Sequence, residues 1–117
     1  MSEKVVFDKS VIDQLVLVLG DDAKEIVLDL LQTYTGEAPG LIKGMKESIE
    51  KRDTDTSRRL AHTLKGSSAN LGLVELAGDC AALEEAAKNG KLDDAGKLLE
   101  QIKSSYARAL DALNGII

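Results

Sequence analysis

Apolar residues recur every three or four positions in segment after segment of the chain, and nothing offers a second β-strand to pair with a first. That pattern leads to helices packed on helices. Aromatic residues make up only 3% of the sequence and there is one proline, so core volume must come from Leu, Ile, Val and Ala, which suit helix packing. A length of 117 residues supports one domain, 1–117, with one modest core. The fold expected is all-α: an antiparallel up-down four-helix bundle with an additional short N-terminal capping helix.

In chain order, Asp8 is a suitable N-cap for a first helix over 9–19, with Phe7 before it as a staple partner for Ile12 and Gly20 after it. Leu15-Val16-Leu17-Val18-Leu19 has strand propensity, but with no strand to pair it reads as helix. It is more apolar than one buried face needs; the surplus either caps the bundle or forms part of a docking surface. Asp22 and Glu25 have capping-box spacing and open a long segment, 22–51, with Ile26, Leu30, Tyr34, Leu41, Met45 and Ile49 at helical spacing. Gly36, Pro39, Gly40 and Gly44 interrupt it, so Pro39 either kinks one helix near 36–39 or occupies the first turn of a second. Lys51-Arg52 supplies a basic end. Asp53 then caps a helix over 54–71 that stops at Gly72. The next helix, 73–88, carries the stripe Leu73, Leu76, Ala77, Cys80, Leu83 and Ala87 and stops at Asn89-Gly90. The last, 91–114, carries Leu92, Ala95, Leu98, Leu99, Ile102, Tyr106, Ala109, Leu110 and Leu113. Short connections make consecutive helices antiparallel neighbours.

The helix over 54–71 holds the only histidine. At about 100° per residue its two faces separate. Leu60, Leu64 and Leu71 fall on one side, flanked by the small Ser57 and Ser67; Asp55, Arg58, Arg59, His62, Lys65, Gly66 and Ala69 fall on the other. His62 therefore points away from the core, with Lys65 and Gly66 one turn further along the same face. A mid-helix glycine costs about 0.8–1 kcal/mol relative to alanine, so Gly66 is poorly explained by stability. The neighbouring helix folds back through Leu71-Gly72, and because His62 lies ten residues before Gly72, Glu84 and Glu85 should stand at its level.

Charge and composition exclude several functions. A net charge of −5 argues against nucleic acid as the main partner. Around His62 the sign reverses: Arg58, Arg59 and Lys65 against Asp55 give a local charge of about +2, suited to an anionic group or an acidic partner. The sequence has no apolar run long enough for a membrane span, and Met1-Ser2-Glu3-Lys4 lacks a signal peptide's apolar stretch. A lone Cys80 forms no internal disulfide, fits a reducing cytoplasm and, lying on the apolar stripe, reads as a small core residue. One His and one Cys do not make a metal site.

His62, Leu64, Lys65, Gly66, Ser67, Ser68, Leu71 and Gly72 together resemble the signature of histidine-containing phosphotransfer (HPt) domains, the phosphoryl carriers of multistep phosphorelays. The resemblance extends to the helix pattern of nearly the whole chain. It implies that His62 is phosphorylated, that Lys65 is a charge partner for the phosphoryl oxygens, and that Gly66 leaves room for a receiver domain to close over the histidine. It also implies that Glu84 accepts a hydrogen bond from Nδ1–H of His62, leaving Nε2 as the exposed nucleophile. Ser67 and Ser68 are expected to be packing residues. The implied partners are receiver domains of response regulators or hybrid histidine kinases, with no nucleic acid and no membrane, and the chain is expected to be a monomer. No cofactor is expected on the chain; magnesium belongs to the receiver. One long kinked helix over 22–51 follows from the same resemblance.

Two other functions compete. The phosphoacceptor domain of a sensor kinase usually has an acidic residue directly after its histidine, where this chain has Thr63; no ATP-binding domain or phosphate-cradling glycine loop is present either. The alternative is an HPt-like helical interaction module without phosphotransfer, which loss of His62, Lys65 or Gly66 would have favoured. All three are present, so the expected function is a carrier without kinase activity of its own. A starting Met1 and the lack of a linker favour a free-standing protein over a piece of a hybrid kinase.

Overall fold

The computed structural model describes residues 6–115; among the described residues there are five α-helices and no strand. They are α1 (Lys9–Leu19), α2 (Ala23–Glu50), α3 (Thr54–Asn70), α4 (Val74–Lys88) and α5 (Ala95–Asn114), with a 3₁₀ turn over Gly20–Asp22. The sequence Met1-Ser2-Glu3-Lys4 lies outside the described residues. Helices α2 to α5 form an antiparallel ring in which each touches the next and α5 returns to α2. Helix α1 packs on α2 as the additional N-terminal element.

The caps follow side-chain chemistry. Asp8 accepts from the Ser10 amide at 3.1 Å, and Asp53 accepts from the Thr56 amide at 3.0 Å and the Thr56 hydroxyl at 2.7 Å. Phe7 packs against the core that buries Ile12. The Asp22–Glu25 capping box does not form: Asp22 lies in the 3₁₀ turn, in helical conformation, and its side chain caps nothing. Gly72 ends α3 at φ 79°, its amide donating to the Ala69 carbonyl at 3.0 Å while the Leu73 amide reaches Ser68 at 2.9 Å. The Gly72 carbonyl also accepts from the Asp8 amide at 2.7 Å, and a Cβ on Gly72 would collide with the Asp8 carbonyl. That close approach fastens the chain before α1 to the end of α3.

Helix α2 is one continuous helix through Pro39. Thr35, whose carbonyl loses its amide partner to the proline, is exposed, as are Gly36, Pro39 and Gly40; the break in the ladder therefore faces water. Lys51 and Arg52 lie beyond the last turn. Arg52 takes the left-handed position, φ 55°, that glycine occupies at the ends of α3 and α4, and its guanidinium reaches Asp93 at 2.8 Å.

The core is aliphatic, with Met45, Leu64, Leu73, Leu76, Leu83, Ile102 and Cys80 fully enclosed. In α2 the buried series is Ala23, Val27, Leu31, Tyr34, Ala38, Ile42, Met45 and Ser48. The series expected from sequence was rotated in its first half: Ile26 and Leu30 are exposed. Two apolar sets lie one position apart there, and the bundle buries the one that continues smoothly into Tyr34. Helix α5 begins at Ala95 rather than 91, because Asp93 and Asp94 form a turn; Leu92 is buried from the preceding loop. Leu17 and Val18 are each 82% exposed, on the side of α1 away from the bundle, so they do not cap the core.

Candidate functional site

Helices α3 and α4 are antiparallel, joined by the tight turn at Gly72, so residues at equal distance from the turn face one another. Glu84 of α4 reaches His62 of α3: its Oε2 lies 2.7 Å from Nδ1. Glu85, the other carboxylate at that level, is exposed and accepts from the Asn89 amide nitrogen at 3.2 Å. With a carboxylate as partner, Nδ1 carries a proton and donates, so in the neutral ring the lone pair is the one on Nε2. The imidazole is 65% exposed, whereas the Glu84 side chain is 19% exposed. The ring is thus held from beneath and open above.

Lys65, one turn along α3, bends to the same carboxylate, its Nζ 2.5 Å from Oε1 of Glu84. One carboxylate is shared by two α3 side chains. The Lys65 hydrogen bond, and then that of His62, hold the Glu84 carboxyl below its ordinary value against the opposing effect of burial. The local charge is less positive than the α3 face alone implies, because Glu84 enters from α4. Arg58 is engaged by Asp55 at 3.2 Å.

Gly66 is exposed, and a Cβ placed there would meet nothing within 4 Å. It leaves a shallow gap beside the imidazole and takes no part in helix packing. The two serines divide: Ser68 is buried and its hydroxyl pairs with that of Tyr34 at 2.9 Å, whereas Ser67 is half-buried and donates to the Thr63 carbonyl at 3.2 Å. Cys80 is fully buried and burial pushes its thiol up to about 12, which leaves it an inert core residue. A second buried pair, Ser48 with Ser57 at 2.7 Å, joins α2 to α3. Of the two serines expected to be packing residues, Ser68 is one and Ser67 is not, since it bonds its own helix backbone. Ser57, expected beside the leucine stripe, is buried, and its partner Ser48 was not legible, since nothing local marks it.

Toward the Gly72 end of α3, Ile26 and Leu30 of α2 and Ser67, Asn70 and Leu71 of α3 border an open groove of about 310 Å³. No described helix is long and apolar enough to cross a membrane.

The chain is similar in sequence and fold to known proteins. The multistep phosphorelay regulator 1 of Schizosaccharomyces pombe is 32% identical over 84 residues, which are 72% of this chain and 28% of that protein; the chain spans little more than a quarter of its length. The crystal structure of histidine-containing phosphotransfer protein B from Pseudomonas aeruginosa PAO1 matches with a TM-score of 0.85 at 29% identity, over 97% of this chain and 95% of that one. A histidine-containing phosphotransfer protein from Medicago truncatula, at 20% identity, matches in fold with a TM-score of 0.79, over 94% and 78% of the two chains. The family model for the Hpt domain matches residues 29–112, which include α3, α4 and the whole His62 site, and the chain belongs to the Hpt domain family.

Proposed function

We propose that this protein is a phosphorelay carrier: Nε2 of His62 accepts a phosphoryl group from an aspartyl phosphate of a receiver domain and passes it to another receiver. The observation that carries the reading is the His62–Glu84 bond, which fixes the ring by Nδ1 and leaves Nε2 facing solvent beside the empty space at Gly66. Phosphoryl transfer needs positioning and charge compensation more than covalent machinery on the carrier. The receiver brings its aspartate and its magnesium; this chain brings a nucleophile in line and Lys65 to meet the phosphoryl oxygens. The chain has no kinase activity of its own and works in the cytoplasm as a monomer. Names among its relatives, a multistep phosphorelay regulator and histidine-containing phosphotransfer proteins, support the same reading.

Ile26 and Leu30 are 37% and 42% exposed, on α2 beside the last turn of α3. They give an approaching receiver an apolar footing toward the Gly72 end of α3, further along the bundle from the reacting nitrogen. A module that only docks its partner needs this footing but has no use for the tautomer that Glu84 selects. The test is incubation with a phosphorylated receiver. Wild type should gain an acid-labile, base-stable label, and a folded His62→Gln variant should gain none. Label persisting in that variant would reject His62 as the acceptor.

A further inference from the structure

The shared carboxylate raises a question of charge. While Nε2 is free, Glu84 is, among the described residues, the one carboxylate bonded to both His62 and Lys65, and Lys65 neutralises it across 2.5 Å. Of the three side chains Glu84 is the most covered, at 19% exposed against 35% for Lys65 and 65% for His62, so its charge is the least screened by water. Transfer places a second anion, of about two charges, on the far nitrogen of the same ring. The ammonium then stands between a carboxylate and a phosphoryl group. It is a compact charge on a flexible stem with three donors, and it is anchored one turn from His62 on the same helix, so it can serve either.

We propose that Lys65 changes partner during transfer: it holds Glu84 while Nε2 is free, turns to the phosphoryl oxygens once Nε2 carries them, and leaves a Glu84 carboxylate that limits how long they stay. This rests on the assignment of His62 as acceptor. In the transfer step the Nε2 lone pair forms the N–P bond, and the P–O bond to the receiver's aspartate breaks with its electron pair going to the carboxylate. No proton moves. The ring keeps its Nδ1–H and becomes cationic, and Glu84, released by Lys65, faces that cation across 2.7 Å. A carboxylate in this place stabilises the cationic ring, the form that leaves phosphorus most readily. Glu84 therefore favours a phosphoryl group that is quickly passed on, where a neutral amide would favour one that is kept.

Two readouts on the full chain test this. With 15N-labelled lysine, the Lys65 ammonium resonance should shift on phosphorylation and show coupling to 31P across the new hydrogen bond. A Lys65 resonance that does not move would overturn the exchange. After removal of the receiver, the phosphohistidine of Glu84→Gln should outlive that of wild type by roughly fivefold, a charge-assisted contact having been replaced by a neutral one. An equal or shorter half-life would overturn the role given to Glu84. Failure of the underlying assignment looks different: wild type itself would take no label, and the exchange would fall with it.

Discussion

Cδ1 of Leu60 lies 2.8 Å from where a Cβ on Gly44 would stand, so α2 and α3 approach closely there because position 44 has no side chain. Gly66, also in mid-helix, faces nothing within 4 Å. The two glycines should respond differently to substitution. Gly66→Ala should stabilise the fold by up to about 1 kcal/mol through helix propensity. Gly44→Ala should gain less, since the end of the half-buried Leu60 must shift, and Gly44→Leu should cost about 1–3 kcal/mol by overpacking. Thermal melts of the three variants check this. Gly66→Gln should stay folded yet transfer about tenfold more slowly or worse, because its side chain fills the space a receiver must enter.

The contrast also shows how far the sequence could be read. Gly44 and Gly66 look alike in the sequence, but only Gly66 shares a face with His62 and Lys65, and that relation is fixed by helical geometry alone. The all-α bundle, the caps at Asp8 and Asp53, and the turn at Gly72 are local features and were legible. Glu84 was half legible: counting back from Gly72 leaves Glu84 and Glu85 level with His62, and only the rotation of α4 chooses between them. That Lys65 is bound to Glu84 rather than standing free was not legible, because it depends on a side chain from another helix. The exposed Ile26 and Leu30 mark the same limit, since two apolar sets of equal periodicity competed and only packing against α1 and α3 decided which was buried.

Arg108 of α5 donates from Nε to Glu75 of α4 at 2.7 Å, with Glu75 4% exposed and Arg108 49% exposed. Burial this unequal predicts unequal mutants. Arg108→Met strands a buried carboxylate and should destabilise clearly, whereas Glu75→Gln leaves a neutral amide below an arginine that can turn to water and should cost less. Urea unfolding of both variants measures the difference. Equal costs would mean that the pair contributes packing and little charge.

Glu84 also gives the fold a pH dependence. Its folded carboxyl titrates below the ordinary value of 4.5, held there by Lys65 and then His62. A depressed folded value means a stabilising contribution that is complete above the unfolded value and lost as pH falls through the folded one. Wild type should therefore exceed Glu84→Gln in stability by up to about 1 kcal/mol near neutral pH, a modest figure because Lys65 is partly solvated. The difference should shrink as pH falls below 4.5 and be lost once pH has passed through the lower folded value. Asp8 and Asp53, also held low by their cap hydrogen bonds, are common to both proteins and cancel. A gap that persists undiminished in acid would show that the Glu84→Gln effect is not electrostatic.

The central claim is that phosphorus is carried by Nε2 of His62 while Nδ1 stays bonded to Glu84. The direct measurement is 1H–31P correlation NMR on the phosphorylated protein. Nε2 lies between two ring carbons that bear hydrogen, so its phosphorus should couple to both Hδ2 and Hε1. Nδ1 has only one such neighbour. The expected result is a single acid-labile phosphorus signal coupled to both imidazole protons of His62. A signal coupled to Hε1 alone, or one with no coupling to the ring, would contradict the claim.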